Sequence, residues 1–158
     1  MKAHPHKNGF SLIELLIVVA IILIIAAIAI PNLVRSKMAA NEASAVGSLR
    51  AINTASVSYA STYEIGYPVA LSDLSPSTLP TSTAADLVDE VLATGIKSGY
   101  TFSYTPGSAG AGGQITTYSI TANPIAPGSS GQRGFFTDQS LLIRANATGT
   151  ASSTDPPL

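Results

Sequence analysis

Lys7-Asn8-Gly9-Phe10-Ser11-Leu12-Ile13-Glu14-Leu15 opens a stretch that runs to Ile30 without another polar side chain and then meets Pro31. Counted from Phe10, the segment is long enough for a helix of about 20 residues, roughly 30 Å, which matches the hydrocarbon thickness of a bilayer. Glu14 is the one acid in it. A carboxylate in hydrocarbon is costly and needs a partner, so this residue demands a functional role.

Two plain readings of the segment stand beside that one. The basic start (Lys2 and Lys7, with His4 and His6) suits the cytoplasmic flank of a signal peptide or of a single-pass anchor. The apolar run is longer than the usual signal-peptide core, although Ala26, Ala27 and Ala29 leave room for cleavage near its end. Neither reading accounts for the Gly9-Phe10 junction or for Glu14.

The 158 residues leave about 125 beyond the apolar run, enough for one small domain. Net charge is −1, and in the last two-thirds Glu64, Asp73, Asp86, Asp89, Glu90, Asp138 and Asp155 face only Lys97, Arg133 and Arg144. Such a balance argues against a dedicated nucleic-acid site. There is no cysteine, which removes disulfides, thiolate catalysis and zinc–thiolate sites.

Pro31 need not end the helix. Val34, Met38, Ala45, Leu49, Ile52, Ser56, Tyr59 and Tyr63 recur at helical spacing, with Arg35, Lys37, Asn41, Glu42 and Arg50 on other faces. The spacing predicts a helix from about Phe10 to Tyr63, apolar all round before Pro31 and amphipathic after it, with Pro31 as a kink. Gly66-Tyr67-Pro68 closes it. Asp86–Gly95 reads as a short helix with acids in its early turns. Tyr100, Phe102 and Tyr104 alternate with Thr101, Ser103 and Thr105, the mark of a strand with one buried face. A glycine-rich connection over 106–114 leads to a return strand over 115–122, and 134–144 supplies two more short strands. The expected fold is therefore α+β: a long N-terminal helix packed on a small antiparallel sheet of three or four strands. The divisions are 1–9 leader, 10–30 membrane or core half of the helix, 31–63 amphipathic half, 64–145 head, and 146–158 flexible tail.

No catalytic constellation emerges, and nothing asks for a cofactor. His4 and His6 make a poor metal pair, and Asp86, Asp89 and Glu90 read as a solvated, dipole-favoured helix start. Gly107 to Gly113 lacks the Lys-Ser/Thr of a phosphate loop. Asp138 sits in a turn where its side chain can accept backbone hydrogen bonds; with no second carboxylate nearby it is a weak calcium candidate.

Gly9-Phe10-Ser11-Leu12-Ile13-Glu14-Leu15, the basic residue before it, the unbroken apolar run and Pro31 together resemble the N-terminus of the type IV pilin family, including the pseudopilins of type II secretion. The resemblance covers about the first 55 residues. It implies cleavage between Gly9 and Phe10 by a prepilin peptidase, N-methylation of Phe10, and helices bundled in a filament core. Glu14 would face the Phe10 amine of a neighbour, and Pro31 would mark where the helix can melt on assembly. The implied partners are the peptidase, homologous pilin subunits and an inner-membrane assembly platform. The implied location is the bacterial inner membrane as a single-pass protein, then an extracellular pilus or a periplasmic pseudopilus. Asn8 stands between the basic residue and Gly9, and Ser11 replaces the commoner Thr. The expected function is a structural subunit of a type IV pilus, with a pseudopilin and a membrane-anchored monomeric binding module as the alternatives, none of them enzymatic.

Overall fold

The structure, a computed structural model, describes residues 10–110 and 112–158. It divides into two compact units, up to Ser36 and from Lys37 onward. One helix, α1 (Leu12–Tyr63), runs through both, with Pro31 inside it. Proline removes one backbone donor, and the helix persists around it. Just beyond, Asn32 Nδ2 donates to the Ile28 carbonyl at 3.1 Å, and Ser36 Oγ to the Asn32 carbonyl at 3.0 Å.

In the first unit the large apolar side chains are exposed, from Phe10 through Ile13, Leu16, Ile21 and Ile25 to Leu33. The helix is long and apolar enough there to cross a membrane, and none of its most apolar stretch is buried.

The second unit has its own core. From Glu42 onward α1 turns Ala45, Leu49, Ile52, Ala55, Ser56 and Tyr59 inward. Opposite them is a five-stranded antiparallel sheet in the order β1 (Ile96–Lys97), β2 (Tyr100–Pro106), β3 (Tyr118–Pro124), β4 (Gly134–Asp138), β5 (Arg144–Asn146). The register sets Phe102 against Ala122, Tyr104 against Ile120, and Ile120 against Thr137. A period of two then puts Tyr100, Phe102, Tyr118, Ile120, Ala122, Phe135 and Thr137 on the buried face. Leu49, Ile52, Ile120 and Phe135 are fully buried, each stabilising the unit by about 1.5–3 kcal/mol. The helix and the small antiparallel sheet are the expected α+β arrangement, with β1 and β5 extending the sheet to five strands.

Three local expectations are corrected. The helix expected over Asp86–Gly95 shrinks to α2 (Glu90–Ala93). The amides of Asp86, Leu87 and Val88 donate instead to the carbonyls of Ser75 and Leu74, in and after a 3-10 turn over Leu71–Leu74, and Asp86 adopts φ +54°. Glu42, expected on a face other than the apolar stripe, is buried. The flexible tail over 146–158 folds back: the Ala145 amide donates to the Pro156 carbonyl, the Leu158 amide to the Ile143 carbonyl, and Ala151 is buried. Polar composition hid this because side-chain hydrogen bonds, not apolar burial, hold most of the return.

α1 ends as its sequence asks. Glu64 is left-handed at φ +56°, and Gly66 follows at φ +88°. A Cβ on Gly66 would lie 2.3 Å from the Ile115 carbonyl oxygen, so only glycine admits the crossing at which the Tyr67 amide donates to that oxygen at 2.7 Å.

Candidate functional site

The N-terminal site begins at Phe10, which precedes the helix and is 80% exposed. Helical bonding starts when the Leu15 amide donates to the Ser11 carbonyl at 3.2 Å. Glu14, in the first turn, reaches back so that its Oε2 accepts from the Ser11 amide at 2.9 Å. That bond satisfies a donor that α1 cannot satisfy itself and places negative charge at the positive end of the helix dipole. One carboxylate oxygen is thus engaged at the helix start beside Phe10. Gly9, His4 and His6 lie outside the described residues.

In the head, two polar clusters tie α1 to the sheet side. Glu42 Oε1 accepts from the amides of Gln132 (2.9 Å) and Arg133 (3.1 Å), and its Oε2 accepts from Arg133 Nε at 2.8 Å. Asn41 Nδ2 donates to the Ser130 carbonyl at 2.7 Å. Burial pushes the Glu42 carboxyl up, but the two amides and the guanidinium outweigh it and hold it below its ordinary value. Tyr100 closes the cluster by donating to the Arg133 carbonyl at 2.8 Å, and burial, first of all, pushes its hydroxyl up to about 12. The second cluster is buried: Tyr118 donates to Asn53 Oδ1 at 3.0 Å, and Asn53 Nδ2 to Thr137 Oγ1 at 2.9 Å. These contacts are structural, since neither cluster opens on a cleft with a nucleophile or a base.

The family model described as the prokaryotic N-terminal methylation motif matches residues 4–30. The chain is also 48% identical over 56 residues to the type IV major pilin protein PilA of Myxococcus xanthus (strain DK1622). Over its N-terminal segment the chain is thus similar to the type IV pilins. The alignment takes in 35% of this chain and 26% of that relative, so it spans about a quarter of the PilA length. No solved structure matches the chain.

Beyond this segment the structure separates acids that lie close together in the sequence. Asp89 caps α2 by accepting from the Leu92 amide at 2.9 Å, and it pairs with Lys97 Nζ at 2.7 Å; the Lys97 bond first, then the amide, lowers its carboxyl. Asp86 and Glu90 do not join it: among the described residues no three His, Asp or Glu side chains gather in a way that could hold a metal. Asp138 ends β4, where its Oδ1 accepts from the Ser140 amide at 2.9 Å, the turn role its sequence position indicates. Sequence reasoning misses the helix-start role of Glu14, although Ser11-Leu12-Ile13-Glu14 has the spacing of a capping box. It misses Glu42 because a charged residue within an amphipathic helix normally reads as solvent-facing.

Proposed function

We propose that this chain is a structural subunit of a type IV pilus, made as a single-pass membrane protein, cleaved between Gly9 and Phe10 and assembled through α1. The carrying observation is the coincidence of the methylation motif over residues 4–30 with a helix whose large apolar side chains all face outward there. Leaving so much apolar surface in water is untenable, and only lipid or neighbouring helices of the same kind can cover it. Before assembly lipid covers it; afterwards other subunits do.

Each N-terminal residue takes one role in this reading. Gly9 presents the scissile bond to a membrane prepilin peptidase, and Phe10 becomes the N-terminal residue and is methylated. Glu14 keeps one carboxylate oxygen on its own Ser11 amide and offers the other to the Phe10 amine of a neighbour. That pairing neutralises two groups that are costly to bury singly. Pro31, already short of one helical hydrogen bond, is where α1 gives way on assembly. An inner-membrane platform delivers the subunits.

Mass spectrometry of the mature chain tests the processing, and shearing of surface filaments tests the product. Methylated Phe10 at the N-terminus, with this chain as the main sheared protein, supports the pilus subunit. Methylated Phe10 with retention in the envelope assigns a pseudopilin instead. An uncleaved Met1, or a terminus beyond Ala29, leaves an anchored binding module or a secreted head and sinks the proposal.

A further inference from the structure

We propose that the outer face of the head's sheet carries a groove for a neutral saccharide. The inference stands apart from the N-terminal segment. Alternation along the strands turns Thr105 of β2, Ser119 of β3 and Asp138 of β4 away from the core. The register pairs Thr105 with Ser119 and Ser119 with Asp138. The three oxygen-bearing side chains therefore form a single cross-strand row, at the strand spacing of about 4.8 Å. Phe136 stands two residues before Asp138 on the same face, half-buried, and Thr117 and Gln139 flank the row. Together these six line an open groove of about 330 Å³. That volume lies at the small end of ligand sites and suits one or two sugar rings.

Most polar groups of this groove bond to none of the described residues. Asp138 spends Oδ1 on the Ser140 amide at 2.9 Å. Its Oδ2, the Gln139 carboxamide and the hydroxyls of Thr105, Thr117 and Ser119 bond to none of the described residues.

The lining selects the ligand class. A carboxylate and a carboxamide are planar groups that can bridge adjacent hydroxyls, and serine and threonine can donate or accept as a ring edge requires. An aromatic side chain supplies an apolar plate for the C–H face of a ring. Among the described residues no lysine or arginine lines the groove, so a phosphate or carboxylate ligand has no counter-charge there and meets Asp138 instead. A nucleic-acid strand fails for the same reason. An added peptide strand needs a sheet edge, whereas Ser119 sits on a strand paired on both sides. A hard cation needs six or more oxygens, and a single carboxylate among hydroxyls is a poor cage.

The test uses the full chain in zwitterionic micelles, which carry no sugar headgroup, and follows its amide resonances. Maltotriose, cellotriose and chitotriose are the neutral probes, with trigalacturonate as the anionic comparison and calcium chloride as the cation. At least one neutral trisaccharide should bind with a millimolar dissociation constant, shifting resonances around Thr105, Thr117–Ser119 and Phe136–Gln139. Ser119→Val and Gln139→Ala, which remove exposed or half-exposed polar groups, should each weaken binding about tenfold, the equivalent of one lost hydrogen bond. Each variant's spectrum reports its own folding. Thr54→Val, on the exposed face of α1, should change nothing. The proposal is overturned if no neutral trisaccharide shifts these resonances, if both groove variants bind as the parent does, or if trigalacturonate or calcium alone produces the shifts.

Discussion

Glu42 is the residue on which the head's polar architecture turns, since one carboxylate holds two amides and a guanidinium from a segment ninety residues away in sequence. The Arg133 side chain is 44% exposed, so solvent screens its share, and the two amides carry most of the stabilisation. Replacing Glu42 by Gln keeps one acceptor oxygen but loses the charge, and should lower head stability at neutral pH by about 1.5–3 kcal/mol. The pH dependence has a definite sign. The folded carboxyl lies below its ordinary 4.5, so its contribution is present above that value and is lost as pH falls through the lowered one. Urea unfolding of the full chain in micelles, followed by tyrosine near-UV dichroism, should show Glu42→Gln weaker at pH 7 and level with the parent in strong acid. A gap that persists in strong acid would mean that packing, not charge, is responsible. Tyr118→Phe probes the other cluster. It strips the donor from buried Asn53 Oδ1 and should lower stability by about 1–3 kcal/mol at any pH below the tyrosine range, with an equal loss at pH 4 and pH 7 as the check.

At the scale of elements, periodicity is what the sequence displays clearly, and return contacts are what it hides. The switch from 3.6 to 2 after Gly95 locates β2 and β3, because alternating aromatics can bury only as a strand. α2 is overestimated from sequence, because the acids that look like a helix start also suit a turn, and there the backbone of 86–88 is pulled to Leu74 and Ser75. The tail is misjudged because its anchors are polar. Asp155 accepts from Asn146 Nδ2 at 3.0 Å, from the Ser152 amide at 2.7 Å and from Ser152 Oγ at 2.9 Å, while its own carbonyl accepts from Arg144 Nη1 at 2.8 Å. These bonds lay residues 155–158 along β5, which would otherwise be a bare sheet edge. Deleting residues 152–158 should therefore speed hydrogen exchange at the Ala145 amide, whose acceptor is the Pro156 carbonyl, and leave Ile120 in β3 as protected as before. Unchanged exchange at Ala145 would mean that the edge is covered without the tail.

For the molecule as a whole, the N-terminal unit and the head answer to different tests, and Glu14 is where the two can be told apart. The first unit is legible almost entirely from Gly9 to Pro31, because an apolar run of bilayer length tolerates an acid only where a partner meets it. What the sequence reading missed, despite the Ser11–Glu14 capping-box spacing, is that Glu14 already has a bond, to its own Ser11 amide. Glu14→Ala removes that helix-start contact, about 0.5–2 kcal/mol of local stability at most. It makes the segment more apolar, so membrane insertion should not suffer. Head unfolding, which rests on Leu49, Ile52 and the sheet, should be unmoved. Filament yield should nevertheless collapse, because the Phe10 amine of each neighbour would then be buried without a counter-charge. Glu14→Gln discriminates further, since its amide oxygen can still accept from Ser11 while the charge is gone. If capping alone matters, Gln restores filaments; if charge neutralisation matters, Gln fails as Ala does. Gly9→Val should stop the chain one step earlier, as an uncleaved form in the membrane with Glu14 intact. Fractionation of membrane against sheared filaments, with the mass of each accumulated chain, reads all three variants at once. Full filament yield from Glu14→Ala would transfer assembly to apolar packing along Leu15–Ile30 and leave Glu14 as a helix cap only.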